Sequence, residues 1–355
     1  MSTKIIKIDP EFPELELIEQ CADIMRKGGI AIFPTDTVYG IGACINQPKV
    51  LEKLAEIKNR DKAKPFACLL SEQHEIFKYT DSNNPQLYKL ISKYWPGPLT
   101  LVVPYKGEDQ STLGIRMPAH VVALDLLRDL ACLVATSSAN KKDNPAPTNF
   151  SDAIKDFDGI VDVALDAGDA FVKKGSSVVD ITSKEMKILR EDALSKEDIA
   201  QTANRKCILF VCTGNSCRSV MAEYALKHRL KDDDEDIEVI SAGTSVFMRS
   251  RASDAAVEIL RQEGIDAREH VSQPLDHIAL RKADLIFAMT QEHRNCILNY
   301  APEVEERLYL LKEFVDTNNA NLDVPDPVGM NLDAYSDCLN IINQAIDKII
   351  TLIKN

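Results

Sequence analysis

The chain has no excess of positive charge: over its 355 residues, 42 Lys and Arg stand against 55 Asp and Glu, a net charge of −13. Divided at residue 200, the balance is 25 against 30 before it and 17 against 25 after it, or −5 and −8. Bulk charge therefore holds neither half on nucleic acid or anionic lipid, and strong direct nucleic-acid binding is not expected; a local cationic pocket is still compatible with the count. No apolar run approaches the roughly 18 residues of a membrane-spanning helix, so no membrane association is expected. No set of Cys and His has zinc-finger spacing, and no metal-ligand site is expected. The nine cysteines form no regular framework, and the opening Met-Ser-Thr-Lys has no apolar core. A cytoplasmic chain with reduced thiols and no signal peptide is the expectation. Internal repeats and low-complexity tracts are lacking as well.

What is there reads as two globular halves. The length is about twice the commonest domain size, and 45% hydrophobic with 27% charged residues is ordinary globular usage. Up to about residue 193, short β-rich runs alternate with amphipathic stretches: Gly29-Ile-Ala-Ile-Phe33, Phe66-Ala-Cys-Leu-Leu70, Leu99-Thr-Leu-Val-Val103, Leu133-Val-Ala-Thr136 and Ser177-Val-Val-Asp-Ile181. This is a mixed α/β pattern. Residues 194–206 are polar, with a helix start at Ser195, and the boundary is placed there, giving domains 1–200 and 206–355. The second half runs strand (207–211), Gly-containing loop (212–219), helix (220–230). Further strands at 237–240 and 285–289 and helices at 253–263 and 333–353 predict a parallel sheet with right-handed crossovers. The run Asp232-Asp-Asp-Glu-Asp236 reads as a solvated loop.

The sharpest motif is Cys212-Thr-Gly-Asn-Ser-Cys-Arg218-Ser219, set between a strand end and a helix start. Amides of such a loop point inward and the helix adds a positive N-terminal field, so the loop can wrap a phosphate dianion. Arg218 can add two parallel hydrogen bonds, and the same field favours a sulfur anion at Cys212 as nucleophile. The Ser219 hydroxyl can donate to that sulfur. Protonating the leaving atom needs an acid, and Val324-Pro-Asp326-Pro327 offers Asp326 on a proline-stiffened loop. Residues 206–353 resemble the low-molecular-weight protein phosphatase family, through this loop, Met221-Ala-Glu223, Ser241-Ala-Gly243, His270-Val-Ser272, the segment 283–289, Leu311-Lys-Glu313 and Asp326-Pro327. The resemblance implies a flavodoxin-like parallel sheet, Cys212 as nucleophile, Arg218 as phosphate clamp, Asp326 as general acid, Asn215 as the residue that holds the loop, and a phosphoprotein substrate. Ser216 and Thr290 look more like the bacterial protein-arginine phosphatase branch than like tyrosine-directed members, which carry a bulky aliphatic residue at the Ser216 position and aromatic residues where Val328 and Gly329 stand. The loop string is also similar to that of arsenate reductases, which need two further redox cysteines on one mobile loop, where downstream of this loop the chain has only Cys296 and Cys338, far apart. Cys217 is a possible reversible disulfide partner of Cys212.

The first half groups polar residues at the ends of apolar runs: 34–40, 58–65, 114–118, 136–140, Ser176-Ser177 and Arg190. With no His, Cys or paired-carboxylate constellation, these clusters suit a pocket that holds anions and a small amino acid through cations and hydroxyls. Their order resembles the YrdC-like family of threonylcarbamoyl-AMP synthases, through Phe33-Pro-Thr-Asp-Thr-Val-Tyr-Gly-Ile-Gly-Ala43, Ile57-Lys-Asn-Arg60, Tyr94-Trp-Pro-Gly-Pro-Leu-Thr100, Ile115-Arg-Met-Pro118, Ser137-Ser-Ala-Asn140, Pro145-Ala-Pro-Thr148 and Ile188-Leu-Arg190. The resemblance implies that L-threonine, bicarbonate and ATP give threonylcarbamoyl-AMP and pyrophosphate, the first step of the t6A modification of tRNA, with Mg2+ accompanying ATP. It implies ATP contacts from Lys58, Arg60, Lys64, Thr112, Ser138, Ala146 and Arg190, and L-threonine contacts from Thr37, Arg116, Thr136 and Ser176. The product would pass to a separate transferase acting on tRNA. Departures from the family pattern are Gly175 where an acidic residue is usual, Glu191-Asp192 in place of Pro-Gly, Asp61 in place of Pro, and Leu69 in place of His.

The whole chain is thus expected to be α/β, a YrdC-like mixed domain followed by a flavodoxin-like phosphatase domain, and bifunctional. A first half that only binds nucleotide or RNA, and an inactive phosphatase-like interaction domain, are the rival readings.

Overall fold

The computed structural model describes residues 2–60, 65–107, 112–142, 144–231, 236–315 and 321–353. The chain divides into two compact units, Met1–Ala203 and Asn204–Asn355.

The first unit is built on a ten-stranded mixed sheet. In chain order its strands are β1 Lys4–Lys7, β2 Ala31–Phe33, β3 Gly40–Cys44, β4 Ala67–Leu69, β5 Leu99–Pro104, β6 Thr112–Arg116, β7 Val134–Ser138, β8 Val163–Asp166, β9 Ser177–Asp180 and β10 Lys187–Arg190. Their spatial order is β1-β8-β2-β3-β7-β4-β6-β5-β9-β10. Successive side chains of a strand point to opposite faces, and here both faces near β2 are covered. Ala31 and Phe33 join a cluster with Ile18, Met25, Val122 and Leu126 from the helices Leu15–Arg26 and Val121–Leu130. Ile30 and Ile32 join another with Tyr39, Leu54 and Phe157. The polar stretch after residue 194 holds the helix Lys196–Asn204, which buries Ile199 and Ala203. It is tied to the first unit where the Tyr94 hydroxyl donates to the Asp198 carbonyl at 3.0 Å.

The second unit carries β11 Lys206–Cys212, β12 Ile237–Gly243, β13 Leu285–Ala288 and β14 Leu308–Leu310, all parallel, in the order β12-β11-β13-β14. Alternation along β11 divides the core: Ile208, Phe210 and Cys212 pack with the helices Arg218–Arg229 and Leu332–Ile353, while Cys207, Leu209 and Val211 pack on the opposite face. The chain leaves β11 towards β12 on one side and returns to β13 on the other, so the strand order reverses at the carboxyl end of β11. Crevices for ligands open at such switch points, and Cys212 is the last residue of that strand.

Candidate active sites

In the second unit the loop after β11 leads into the helix Arg218–Arg229. Among the described residues no hydrogen bond uses the six amides from Thr213 to Arg218, while the carbonyls of Cys212, Thr213 and Ser216 are taken by the amides of Thr244, Ser245 and Ser253. The loop is therefore held from outside by its acceptors and keeps its donors for an anion. Asn215 sets its shape. It is fully buried and left-handed at φ 50°, a conformation Asn tolerates better than other residues with a side chain. Its side-chain amide donates to Ser219 Oγ at 3.0 Å and Ser241 Oγ at 2.6 Å, and its Oδ1 accepts from the Gln273 amide at 2.7 Å. Ser219 Oγ lies 3.0 Å from Cys212 Sγ. Because the Asn215 amide already donates to that oxygen, the hydroxyl hydrogen is left to point at the sulfur. Gly243 keeps the loop's flank open: a Cβ there would meet the Thr213 carbonyl at 2.6 Å and the Asn215 nitrogen at 2.9 Å.

Arg218, buried in its crevice, donates from Nη1 to the Val324 carbonyl at 3.3 Å and from Nη2 to Asp326 Oδ2 at 2.6 Å. The fold thus brings the expected nucleophile, clamp and acid to one mouth. The Cys217 thiol donates to Ser253 Oγ at 3.2 Å and contacts Tyr335 Oη at 3.4 Å, in the same buried cluster as Cys212 and Cys338. Cys296 is exposed on the helix Gln291–Tyr300.

Two features of this site escaped the sequence reading. His293 joins Thr213 Oγ1 (2.8 Å, through Nε2) to Thr290 Oγ1 (2.7 Å, through Nδ1), and burial, then Arg218, keeps its pKa below the usual range. The spacing Thr290-x-x-His293, a helix cap followed by a polar residue, is the signal that could have found it. Phe247, two residues beyond the Ser245 amide that binds the loop, is 96% exposed.

In the first unit, strand alternation assembles the site. Thr112, Gly114 and Arg116 of β6 share a face, as do Thr100 and Val102 of β5, Thr136 and Ser138 of β7, and Ala67 and Leu69 of β4. Registers such as Ala67 with Thr136 and Gly114, and Gly40 with Ser138, bring those faces side by side. They floor a cavity of about 420 Å3 that Thr37, Arg60, Ala146, Ser176, Arg190 and Asp192 also line. Lys58 lies in an adjoining recess of about 260 Å3 that shares Arg60 and Ser138. All the ligand contacts expected from the sequence meet here except Lys64, which, like Asp61 and residues 232–235 of the acidic run, lies outside the described residues.

Arg116 is almost wholly buried and engaged on three sides: Nε donates to the Gly97 carbonyl at 2.9 Å, Nη1 to Thr37 Oγ1 at 2.7 Å and Nη2 to Asp36 Oδ1 at 2.5 Å. Burial lowers its pKa, opposed by Asp36. Asp36, within the quoted motif around Thr37, is the partner that the sequence reading did not single out. Ser176 Oγ sits 2.8 Å from Thr100 Oγ1, and Arg190 grips the Ser176 carbonyl through Nε at 2.8 Å and Nη2 at 2.6 Å. Lys58 Nζ donates to the carbonyls of Ser138, at 2.7 Å, and Asn140. Burial, reinforced by Arg60, lowers its pKa to about 8. A ring of hydroxyls, three guanidinium groups and a buried ammonium suits a polyanion together with a small polar molecule.

Known proteins resemble the two units separately. A family model for Sua5, YciO and YrdC proteins, described as telomere recombination, matches residues 23–192, and one for low-molecular-weight phosphotyrosine protein phosphatases matches residues 207–355. A Mycobacterium tuberculosis protein named for threonylcarbamoyl-AMP synthesis is 34% identical over 200 residues, which are 54% of this chain and 91% of that protein. The protein-arginine-phosphatase of Bacillus subtilis is 34% identical over 147 residues, 41% of this chain and 96% of the relative. The crystal structure of P. abyssi Sua5 complexed with L-threonine aligns with a TM-score of 0.55 over 87% of this chain and 99% of that one, and at 22% identity it speaks for the fold alone.

Proposed function

Because the chain belongs to the Sua5/YciO/YrdC family through its first unit and to the low-molecular-weight phosphatase family through its second, we propose that it is a bifunctional enzyme, a threonylcarbamoyl-AMP synthase joined to a cysteine-dependent protein phosphatase.

For the first unit, the reaction proposed is L-threonine, bicarbonate and ATP to threonylcarbamoyl-AMP and pyrophosphate. The observation that carries it is that one cavity is lined both by the residues expected to take threonine, Thr37, Arg116, Thr136 and Ser176, and by those expected to take ATP, Arg60, Thr112, Ser138, Ala146 and Arg190. Attack of a carbamate oxygen on the α-phosphorus needs alignment and charge neutralisation more than proton transfer, and the lining offers those. Magnesium is proposed to accompany ATP, held chiefly by its phosphate oxygens, as this reaction of a nucleoside triphosphate requires. The labile adenylate would pass to a transferase that binds tRNA, so this acidic chain need not. Incubating the full chain with threonine, bicarbonate, ATP and magnesium should release pyrophosphate well above an Arg60→Ala control. Release equal to that control would leave the first unit a nucleotide-binding module.

For the second unit, Cys212 attacks phosphorus while the free amides of the loop and Arg218 hold the oxygens, and Asp326 protonates the leaving atom; water then breaks the thiophosphate. The absence of a Cys212→Ser effect on p-nitrophenyl phosphate hydrolysis would return this unit to an interaction role. Phosphoarginine is the favoured substrate: Ser216 is small and polar, and Val328 and Gly329 give no aromatic wall. Phosphotyrosine is kept as the second reading because the exposed ring of Phe247 flanks the loop and could stack on a phenol. Phosphoarginine and phosphotyrosine proteins compared side by side decide between them.

A further inference from the structure

The cavity of the first unit collects three guanidinium groups, from Arg60, Arg116 and Arg190, and one carboxylate, that of Asp192. A site for phosphates alone gains nothing from that carboxylate, which repels them. Yet its position is fixed with care. The Asp192 and Leu194 amides donate to Ser177 Oγ at 3.1 and 2.9 Å, and Arg190, two residues earlier, grips the Ser176 carbonyl, so residues 190–194 are fastened to 175–177. The carboxylate lies over Gly175. A Cβ there would come within 2.4 Å of Asp192 Oδ2 and 3.7 Å of Arg190 Nη2, so the missing side chain is what gives the acid its place. Among the described residues no hydrogen bond or ion pair engages the Asp192 side chain. The buried acid nearby, Asp36, is paired to Arg116 and is not in the lining.

A zwitterion is the ligand that needs both signs in one cavity. From this we infer that Asp192 receives the ammonium group of the amino-acid substrate, in the same cavity as the guanidinium groups that take its carboxylate and the phosphates of the nucleotide. The inference rests on the synthase reading of the first unit and assigns a binding residue to it. The acid enters the site from the end of β10, directly across the gap that Gly175 leaves at the start of β9, so strand pairing between β9 and β10 is what delivers it.

Isothermal titration of the full chain tests this with L-threonine, N-acetyl-L-threonine and the magnesium complex of a non-hydrolysable ATP analogue. Asp192→Asn keeps the shape and removes the charge; it should weaken L-threonine binding at least about tenfold, leave the nucleotide within about twofold, and bind N-acetyl-L-threonine as weakly as the unmodified chain does. Gly175→Ala, which displaces the carboxylate, should repeat the threonine loss. Glu191→Gln, removing the neighbouring exposed charge, should bind threonine normally. Unchanged threonine affinity in Asp192→Asn, or a loss of nucleotide affinity in its place, overturns the assignment. An unmodified chain that binds the nucleotide but no threonine overturns the synthase reading and the assignment with it, and that failure is visible before any variant is made.

Discussion

Arg218 and Asp326 meet at 2.6 Å across 108 residues of sequence, the guanidinium on the floor of the phosphate loop and the carboxylate at its rim. Asp326 is about half exposed while Arg218 is buried, so an arriving phosphate competes with the acid for the clamp and leaves it free to face the leaving atom. Asp326→Asn should therefore lose activity in proportion to how much the leaving group needs a proton. A fall of about 10²- to 10⁴-fold is expected on a phosphoprotein and a clearly smaller one on p-nitrophenyl phosphate, whose phenolate leaves unaided. Equal losses on both substrates would show that the acid only orders the loop.

Asn215 combines a left-handed backbone with three side-chain hydrogen bonds, and two substitutions separate the contributions. Asn215→Ala pays for both, whereas Asn215→Gly keeps the backbone at ease and loses only the bonds. Thermal unfolding should rank the chains unmodified, Gly, Ala, with the last two separated by about 1 kcal/mol. Phosphatase activity should fall sharply in both, because without the Asn215 amide the Ser219 hydroxyl loses its orientation towards Cys212. If Ala proves the more stable, the backbone conformation is not what selects Asn here.

The phosphate loop was legible in the sequence because its chemistry is local: eight consecutive residues carry nucleophile, clamp and hydroxyl, and the strand before and helix after are marked by apolar patterning. The first-unit cavity was legible only as an order of motifs. Its walls come from β3, β4, β5, β6, β7, β9 and β10, and strands such as Gly40-Ile-Gly-Ala-Cys44 carry glycines that argue against a strand. The pairings that tune both sites could not be read at all. Arg116 with Asp36 spans 80 residues and His293 with Thr213 spans 80; the helix cap at Thr290 points to His293 itself, but nothing local marks its partner or that of Arg116. Asp192 was visible as a departure from a family pattern, but its placement over Gly175 needed the register of two strands.

Gly114 is the place where the cavity can be closed without harming the fold. A Cβ added there meets nothing nearer than 3.7 Å, its φ is not left-handed, and it sits in mid-strand, where glycine costs stability. Gly114→Val should leave the unfolding midpoint unchanged or raised while its methyl groups fill the cavity floor. Nucleotide and threonine binding should drop by at least tenfold, and phosphatase activity should not change. A variant that binds both ligands normally would place the ligand elsewhere.

Lys58 predicts a pH limit on use of ATP. Burial, then Arg60, depresses its pKa to about 8, with Asp156 acting weakly the other way. Below that value the group is an ammonium that can face a triphosphate; above it, an uncharged amine. kcat/KM for ATP, which reports the free enzyme, should be flat below about pH 8 and fall about tenfold per unit above it. Unfolding does not mimic this. Between about 8 and the ordinary 10.5 the unfolded chain holds the lysine proton and the folded chain does not, so stability from this group rises with pH across that window. Lys58→Arg, charged throughout, should keep kcat/KM level to pH 10. The same break in the arginine variant would assign it to another group, and no break in the unmodified chain would mean that the carbonyls of Ser138 and Asn140 hold the ammonium charged despite its burial.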